Sequence, residues 1–175
     1  MDILTPQKRH AIMAAIHGKD TKPEILVRKW LWNNGFRYRL NHPQLPGKPD
    51  IVMRKYKTCI FVNGCFWHGH GVNPSKVESS ACCRIPKTNT EFWITKILRN
   101  QEHDSKVKQQ LAFMGWNTIT IWECQLKPIL RQQTLESLAY TLNSIFLKNY
   151  SIKSYKTDEE ESMMVAEDLP VYGDR

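Results

Sequence analysis

PGKPDIVMRKYKTCIFVNGCFWHGH, residues 46–70, decides how the rest of the chain is read. Its first part is a turn, a strand, a short basic turn and a second strand. IVM and CIFV are short and rich in β-branched or aromatic side chains, as hairpin strands are. Asp50 stands where the first strand begins. Antiparallel pairing of the two strands then places Asp50 near the Val62–Asn63 end of the second, which runs directly into GCFWHGH. That stretch holds one cysteine, two aromatics and two histidines in seven residues. Phe66 and Trp67 are neighbours and in an extended strand would point to opposite faces. Gly64 and Gly69 permit a turn instead.

On the N-terminal side, an amphipathic helix is expected from about Thr5 to Ile16, with Pro6 in its first turn and HGKD breaking it. Thr21 then offers an N-cap with Glu24 three residues on, the capping-box spacing. The helix it opens carries Ile25, Leu26, Trp30 and Leu31 on one stripe and ends at Gly35. On the C-terminal side, His70 to Pro86 is irregular and polar, too long for an idle connection. KTNTEFW starts a long helix, with Thr88 and Glu91 again at capping-box spacing. Phe92, Trp93, Ile97, Val107, Leu111 and Met114 supply its interrupted apolar face, and Gly115 ends it. NTITIW is a strand, and a last amphipathic helix spans about Thr134 to Asn149. The order α, α, β, β, β, α, β, α implies one mixed sheet in an α/β layer structure.

The 175 residues suit one domain over residues 1–150, followed by an acidic tail, 151–175, expected to be mobile. The net charge of +8 is unevenly spread: the tail holds three basic and seven acidic side chains, the body 22 and 10. A body that basic attracts polyanions. No run of 18 apolar residues exists, so no membrane span is expected. The N-terminus has no long apolar stretch followed by a small-residue cleavage site, so no signal peptide is expected. Five cysteines, an odd number, and no sign of secretion argue against a disulfide framework.

Two thiols from the loop region, the His70 imidazole and a distal thiol make a Cys₃His set, which suits a closed tetrahedral zinc site. Cys65 and His70 lie five residues apart, Cys82 and Cys83 follow the irregular loop, and Cys124 closes the last strand. A metal there staples a loop that buries little of itself, whereas buried thiols would merely pack. Asp50 with a neighbouring strand carbonyl is a reasonable oxygen site for Mg²⁺, near enough to His68 for that imidazole to activate a water. The plainer reading makes Asp50 a turn cap and His68 a core hydrogen-bonder. Glu24 is sufficiently explained by its capping box. Phe66 and Trp67 are either core or a wedge able to enter a base stack.

PGKPD, FVNGCFWHGH, KTNTEFW and IWEC, in that order, closely resemble the very short patch repair (Vsr) DNA mismatch endonucleases, over about residues 5 to 130. The resemblance implies a PD-(D/E)xK nuclease-like mixed β-sheet flanked by helices, with a structural zinc. It implies a Mg²⁺-dependent enzyme that nicks duplex DNA on the 5′ side of the thymine in a T·G mismatch, the product of 5-methylcytosine deamination. Asp50 would bind Mg²⁺ together with the Val62 carbonyl, His68 would act as general base or position the attacking water, and Glu24 would assist through water or through a neighbouring group. Met13, Phe66 and Trp67 match side chains that enter the DNA stack, and Lys96 and Asn100 match positions that read the mismatched bases. Cys65, His70 and Cys124 match zinc ligands, with Cys82 or Cys83 as the fourth; CysArg before the KTNTEFW helix points to Cys83. The family also implies a cytoplasmic, nucleoid-associated bacterial protein acting as a monomer, with mismatch-repair factors and a repair DNA polymerase as partners. Two departures stand out. Asn63 replaces a frequent second active-site histidine, and the loop from Gly71 to Ala81 is longer than expected. Asn63 is the one feature that favours a competing reading, a catalytically weak, zinc-stabilised mismatch DNA-binding protein.

Overall fold

In the computed structural model, residues 5, 7–8, 18–73 and 80–150 are described. The expected first helix, Met13, residues 74–79 of the irregular segment and the acidic tail fall wholly or largely outside them. The described elements run α1 (Lys22–Asn33), β1 (Arg39–Leu40), β2 (Ile51–Met53), β3 (Thr58–Asn63), α2 (Thr90–Phe113), β4 (Asn117–Trp122) and α3 (Pro128–Asn149). This is the expected order, and it is a mixed α/β structure.

The sheet is ordered β1-β2-β3-β4. β2 and β3 pair antiparallel with Ile51 opposite Ile60, the hairpin expected from IVM and CIFV. Lys57, in the left-handed region at φ 44°, closes the basic turn between them. β3 and β4 pair in parallel over six residues, from Thr58–Asn117 to Asn63–Trp122. A parallel pair needs a long crossover, and α2 supplies it.

Both faces of the sheet are covered. Ile51, Met53, Ile60 and Ile121 pack with Val27 and Leu31 of α1 and Leu135, Leu138 and Leu142 of α3. Val52 and Cys59, one residue out of phase, pack on the other face with Val107 and Leu111 of α2. The period of two in a strand thus splits IVM between two cores. At 25 cal/mol per Å², full burial of each such side chain contributes about 1.5–3 kcal/mol.

Helix boundaries and faces follow the expected chemistry with four corrections. Thr21 caps α1: its hydroxyl accepts from the Glu24 N–H and donates to Glu24 Oε1 at 2.8 Å. Gly35, at φ 83°, follows the last turn, as expected. The buried face of α1 is Glu24, Val27, Arg28 and Leu31, so Ile25 is not on the stripe; it is exposed, and Leu26 and Trp30 lie at the core's edge. Thr88 does not cap α2. The cap is Asn89, in the left-handed region at φ 53°, and Thr90 instead bonds the Pro86 and Lys87 carbonyls. Phe92 and Met114 also leave the apolar face of α2 and are exposed. Gly115, at φ 75°, ends α2 as expected, with its N–H on the Ala112 carbonyl and the Trp116 N–H on Leu111. α3 starts at Pro128 rather than Thr134, because proline is favoured in a first turn, where its missing N–H costs nothing.

Candidate active site and metal centre

β3 is longer than β2, and this difference opens the site. Beyond Ile51–Ile60 the Val62 N–H has no partner in β2, and it donates to Asp50 Oδ2 at 2.8 Å. In a strand the N–H and C=O of one residue point to the same side, so the Val62 carbonyl is directed to the same edge as the Asp50 carboxylate. The two line a cleft of about 830 Å³ with Glu24, Asn63, His68 and Asp104. Lys19, Lys48 and Lys108 add cationic groups to its wall.

Burial holds the Asp50 carboxyl above the usual carboxylate range, and the neighbouring Glu24 charge adds to this. The Val62 N–H, Arg28 and His68 act in the opposite direction. A half-buried carboxylate facing a second one is an arrangement that a hard cation with oxygen ligands relieves. The donors present therefore fit Mg²⁺.

His68 stands on a tight turn built from GCFWHGH. The His68 N–H bonds the Gly64 carbonyl at 3.2 Å and the His70 N–H bonds the Cys65 carbonyl at 2.9 Å. Gly69 sits at φ 62°, where an added Cβ would come within 2.5 Å of Ile97. Two amides of α2 hold the turn from outside: Asn100 Nδ2 donates to the Trp67 carbonyl at 2.7 Å and Gln101 Nε2 to Gly69 at 2.9 Å and Val72 at 3.1 Å. His68 Nδ1 lies 2.6 Å from Asp104 Oδ2 on α2. A carboxylate on Nδ1 fixes the ring and leaves Nε2 for chemistry. The sequence reading missed Asp104, since only the packing of α2 beside the turn brings positions 68 and 104 together.

The other histidine of the turn faces a different environment. Cys65, His70, Cys82 and Cys124 place their donor atoms within 4.8 Å of one another. His70 Nδ1 is 3.1 Å from Cys82 Sγ, 3.3 Å from Cys124 Sγ and 3.7 Å from Cys65 Sγ. Zn–S bonds near 2.3 Å and Zn–N bonds near 2.0 Å in a tetrahedron require N···S edges of roughly 3.5 Å. The set could hold a metal, and its donor chemistry fits zinc. Burial pushes the Cys65 thiol up to about 12, so its thiolate needs a cation beside it, and burial lowers His70, keeping it a neutral donor. The His70 ring stacks on Trp122, centroids 4.1 Å apart and planes 13° apart.

Of the two adjacent thiols, Cys82 and not the expected Cys83 lies with the other donors. Cys83 is fully buried in an apolar cluster with Val72 and Ile97, its Sγ 3.7 Å from the Phe66 carbonyl. The two thiols are neighbours pointing apart: one packs, the other joins the donor set.

Phe66 and Trp67 form an aromatic group with Trp93 of α2, with ring centroids 5.1–6.1 Å apart. Phe92, 61% exposed, extends it, 5.2 Å from Trp93. Trp93, assigned to the core by the sequence reading, is only half-buried and belongs to this group. Lys96 is exposed on α2, one turn before Asn100.

A family model for "DNA mismatch endonuclease Vsr" matches residues 1–74. "Type II nicking enzyme V.NmeAIP" of Neisseria meningitidis serogroup A is 50% identical over 126 residues, covering 72% of this chain and 84% of that protein. "Type II nicking enzyme V.XorIIP" of Xanthomonas oryzae pv. oryzae is 38% identical over 131 residues, 73% of this chain and 88% of that one. "DNA mismatch endonuclease Vsr" of Escherichia coli K12 is 36% identical over 126 residues, 72% and 76% of the two chains. With this agreement and a cleft that gathers Asp50, His68 and Glu24, the chain belongs to the Vsr family of DNA mismatch endonucleases and is a DNA-cleaving hydrolase.

Proposed function

We propose that this enzyme nicks duplex DNA on the 5′ side of the thymine in a T·G mismatch, with Mg²⁺ held by Asp50 and the Val62 carbonyl, on a sheet of the PD-(D/E)xK nuclease type. One observation carries the reading: the Asp50 carboxylate, the His68–Asp104 pair and Glu24 share one cleft next to the turn that presents Phe66 and Trp67.

Mg²⁺, when bound, neutralises charge developing on the phosphate and the leaving 3′ oxygen. The chain's own residues do the rest. Asp104 holds His68 with Nδ1 engaged, so that Nε2 takes a proton from the attacking water. Glu24, on the same wall, orients water through its carboxylate. Lys19, Lys48 and Lys108 draw the phosphate backbone into the cleft. Phe66, Trp67 and Trp93 supply a stack-breaking surface, and Met13 matches a family side chain that enters the stack. Unstacking a step costs a few kcal/mol and costs least at a mismatch, which favours mismatched sites mechanically. Lys96 and Asn100 add contacts to base edges, and Asn100 also fixes the turn through its bond to Trp67.

Zinc in the Cys65, His70, Cys82 and Cys124 set is structural in this reading. The enzyme acts as a monomer on nucleoid DNA in the bacterial cytoplasm and hands its nick to mismatch-repair factors and a repair DNA polymerase. Among the described residues, no helix is long and apolar enough to cross a membrane.

The test is cleavage of a T·G duplex and a T·A control, with and without Mg²⁺. Mg²⁺-dependent cutting of the T·G strand alone is expected. Equal cutting of both duplexes would leave a nickase without mismatch preference, and binding without cutting would leave a DNA-binding protein.

A further inference from the structure

Behind the cleft wall lies a charged group that the reaction as described does not use. Arg28, on the buried face of α1, has a side chain only 8% exposed. Its Nη2 meets Glu24 Oε2 at 2.7 Å, one helical turn back, and its Nη1 pairs with Asp20 Oδ1. Its Nε is buried with no hydrogen-bond partner among the described residues, so the guanidinium is held by its two Nη groups. Glu24 takes two further bonds, Oε1 from the Thr21 hydroxyl at 2.8 Å and Oε2 from the Asp20 N–H at 3.1 Å. Glu24 lines the cleft and Arg28 does not.

A carboxylate buried to this degree is costly unless it is paired and hydrogen-bonded. An unrestrained glutamate would also swing among rotamers and lose its aim into the cleft. A capping box explains only the Thr21 bond. It gives no reason for a buried guanidinium spanning Glu24 and Asp20, which costs several kcal/mol in desolvation unless both carboxylates meet it well.

We infer that Arg28 is a positioning residue: its guanidinium fork locks the Glu24 carboxylate against the start of α1, so that the charge Glu24 presents to the cleft is fixed before DNA arrives. Arg28 also places one positive charge behind two carboxylates, Glu24 and Asp50, and so moderates how tightly they attract a divalent cation. The inference rests on the reading of the cleft as the nicking site.

The test uses the full chain with Arg28→Met, Arg28→Lys, Glu24→Gln and the Arg28→Met/Glu24→Gln pair. Four quantities are read: kcat for T·G duplex nicking, KM for that duplex, Tm, and Mn²⁺ binding without DNA by electron paramagnetic resonance. Arg28→Met is expected to lower kcat at least about tenfold with KM for DNA within about twofold, since the group acts on orientation rather than on DNA binding. Mn²⁺ should bind about threefold tighter as the opposing charge leaves. In the Glu24→Gln background the Met substitution should cost no further kcat. Arg28→Lys should fall between, because one ammonium does not bridge Glu24 and Asp20 as a fork does. The inference is overturned if Arg28→Met keeps parental kcat, or if its loss multiplies with that of Glu24→Gln. A joint fall in Tm and Mn²⁺ affinity would equally overturn it, since the guanidinium would then merely hold the fold. Should the Met variant not fold, Arg28→Lys decides: an intermediate kcat supports the inference and a parental one overturns it. A parent chain that does not nick refutes the nicking site itself, and the Mn²⁺ arm still judges Arg28.

Discussion

Two histidines of one turn, His68 and His70, serve opposite chemistries. His68 faces oxygen: Asp104 grips its ring and Asp50 and Glu24 share its cleft. His70 faces sulfur: three thiols surround Nδ1 and Trp122 covers the ring. The first environment is charged; the second is lined by thiols and an aromatic ring, and burial there holds Cys65 and His70 toward their neutral forms. Hard cations prefer the one and soft-ligand metals the other. On the proposed reading, the sulfur side carries stability and the oxygen side carries rate. Substitutions on either side test that division.

The largest effect should come from the sulfur side. Cys82→Ser or Cys124→Ser, or exhaustive chelation of the parent, should lower Tm by on the order of ten degrees or more and abolish nicking, because structural zinc supplies folding free energy directly. Thermal melting with metal analysis checks this, and parental Tm in the serine variants would break the division. His68→Ala is the counterpart. It should reduce nicking by about 10²–10⁴-fold while leaving T·G duplex binding and Tm near parental values; undiminished cleavage would refute the base assignment. Asp104→Asn should be comparably severe, up to about 10⁴-fold in kcat, because an amide donating to Nδ1 leaves the proton on Nε2 and the imidazolium loses its counter-charge.

Smaller effects sharpen the contrast. Gly69→Ala should destabilise by about 1–3 kcal/mol, as a Cβ there presses on Ile97 from a left-handed backbone. Asp50→Asn should do the reverse in cation-free buffer at neutral pH. Burial raises the Asp50 pKa above its ordinary value, so the folded state favours the protonated form. The native carboxyl therefore loses stability as pH rises from the unfolded pKa through the folded one. Asn removes that cost, so Tm should rise above neutral-pH parent and match it in acid, while nicking disappears. A fall in Tm at neutral pH would show that Asp50 also holds the fold.

Much of this was legible in the sequence because it depends on local chemistry. The Asp50–Val62 juxtaposition followed from hairpin register, and the Thr21 cap and the Gly35 and Gly115 stops from backbone conformation. What was not legible depends on packing at long range. Nothing local marks Asp104 as the partner of His68, 36 residues away. Cys82 and Cys83 carry the same side chain, and only the Ser80–Cys83 turn decides which enters the apolar cluster. Thr88 had the right spacing to cap α2, but Asn89 tolerates the left-handed conformation that position needs and takes the role. Ile25 fitted a helical stripe in which Glu24 and Arg28 proved to be the buried members, an inversion that polar pairing permits and hydrophobic periodicity does not foresee.

The side-by-side run of β3 and β4 has an evolutionary corollary. Since both strands leave the sheet at the same end, Cys65 and Cys124 come together regardless of what lies between His70 and Cys82. With the ends of that span anchored at Val72 and Ser80, its length becomes a free variable. Relatives can gain or lose residues there as a site for new contacts while the knot of thiols stays as it is.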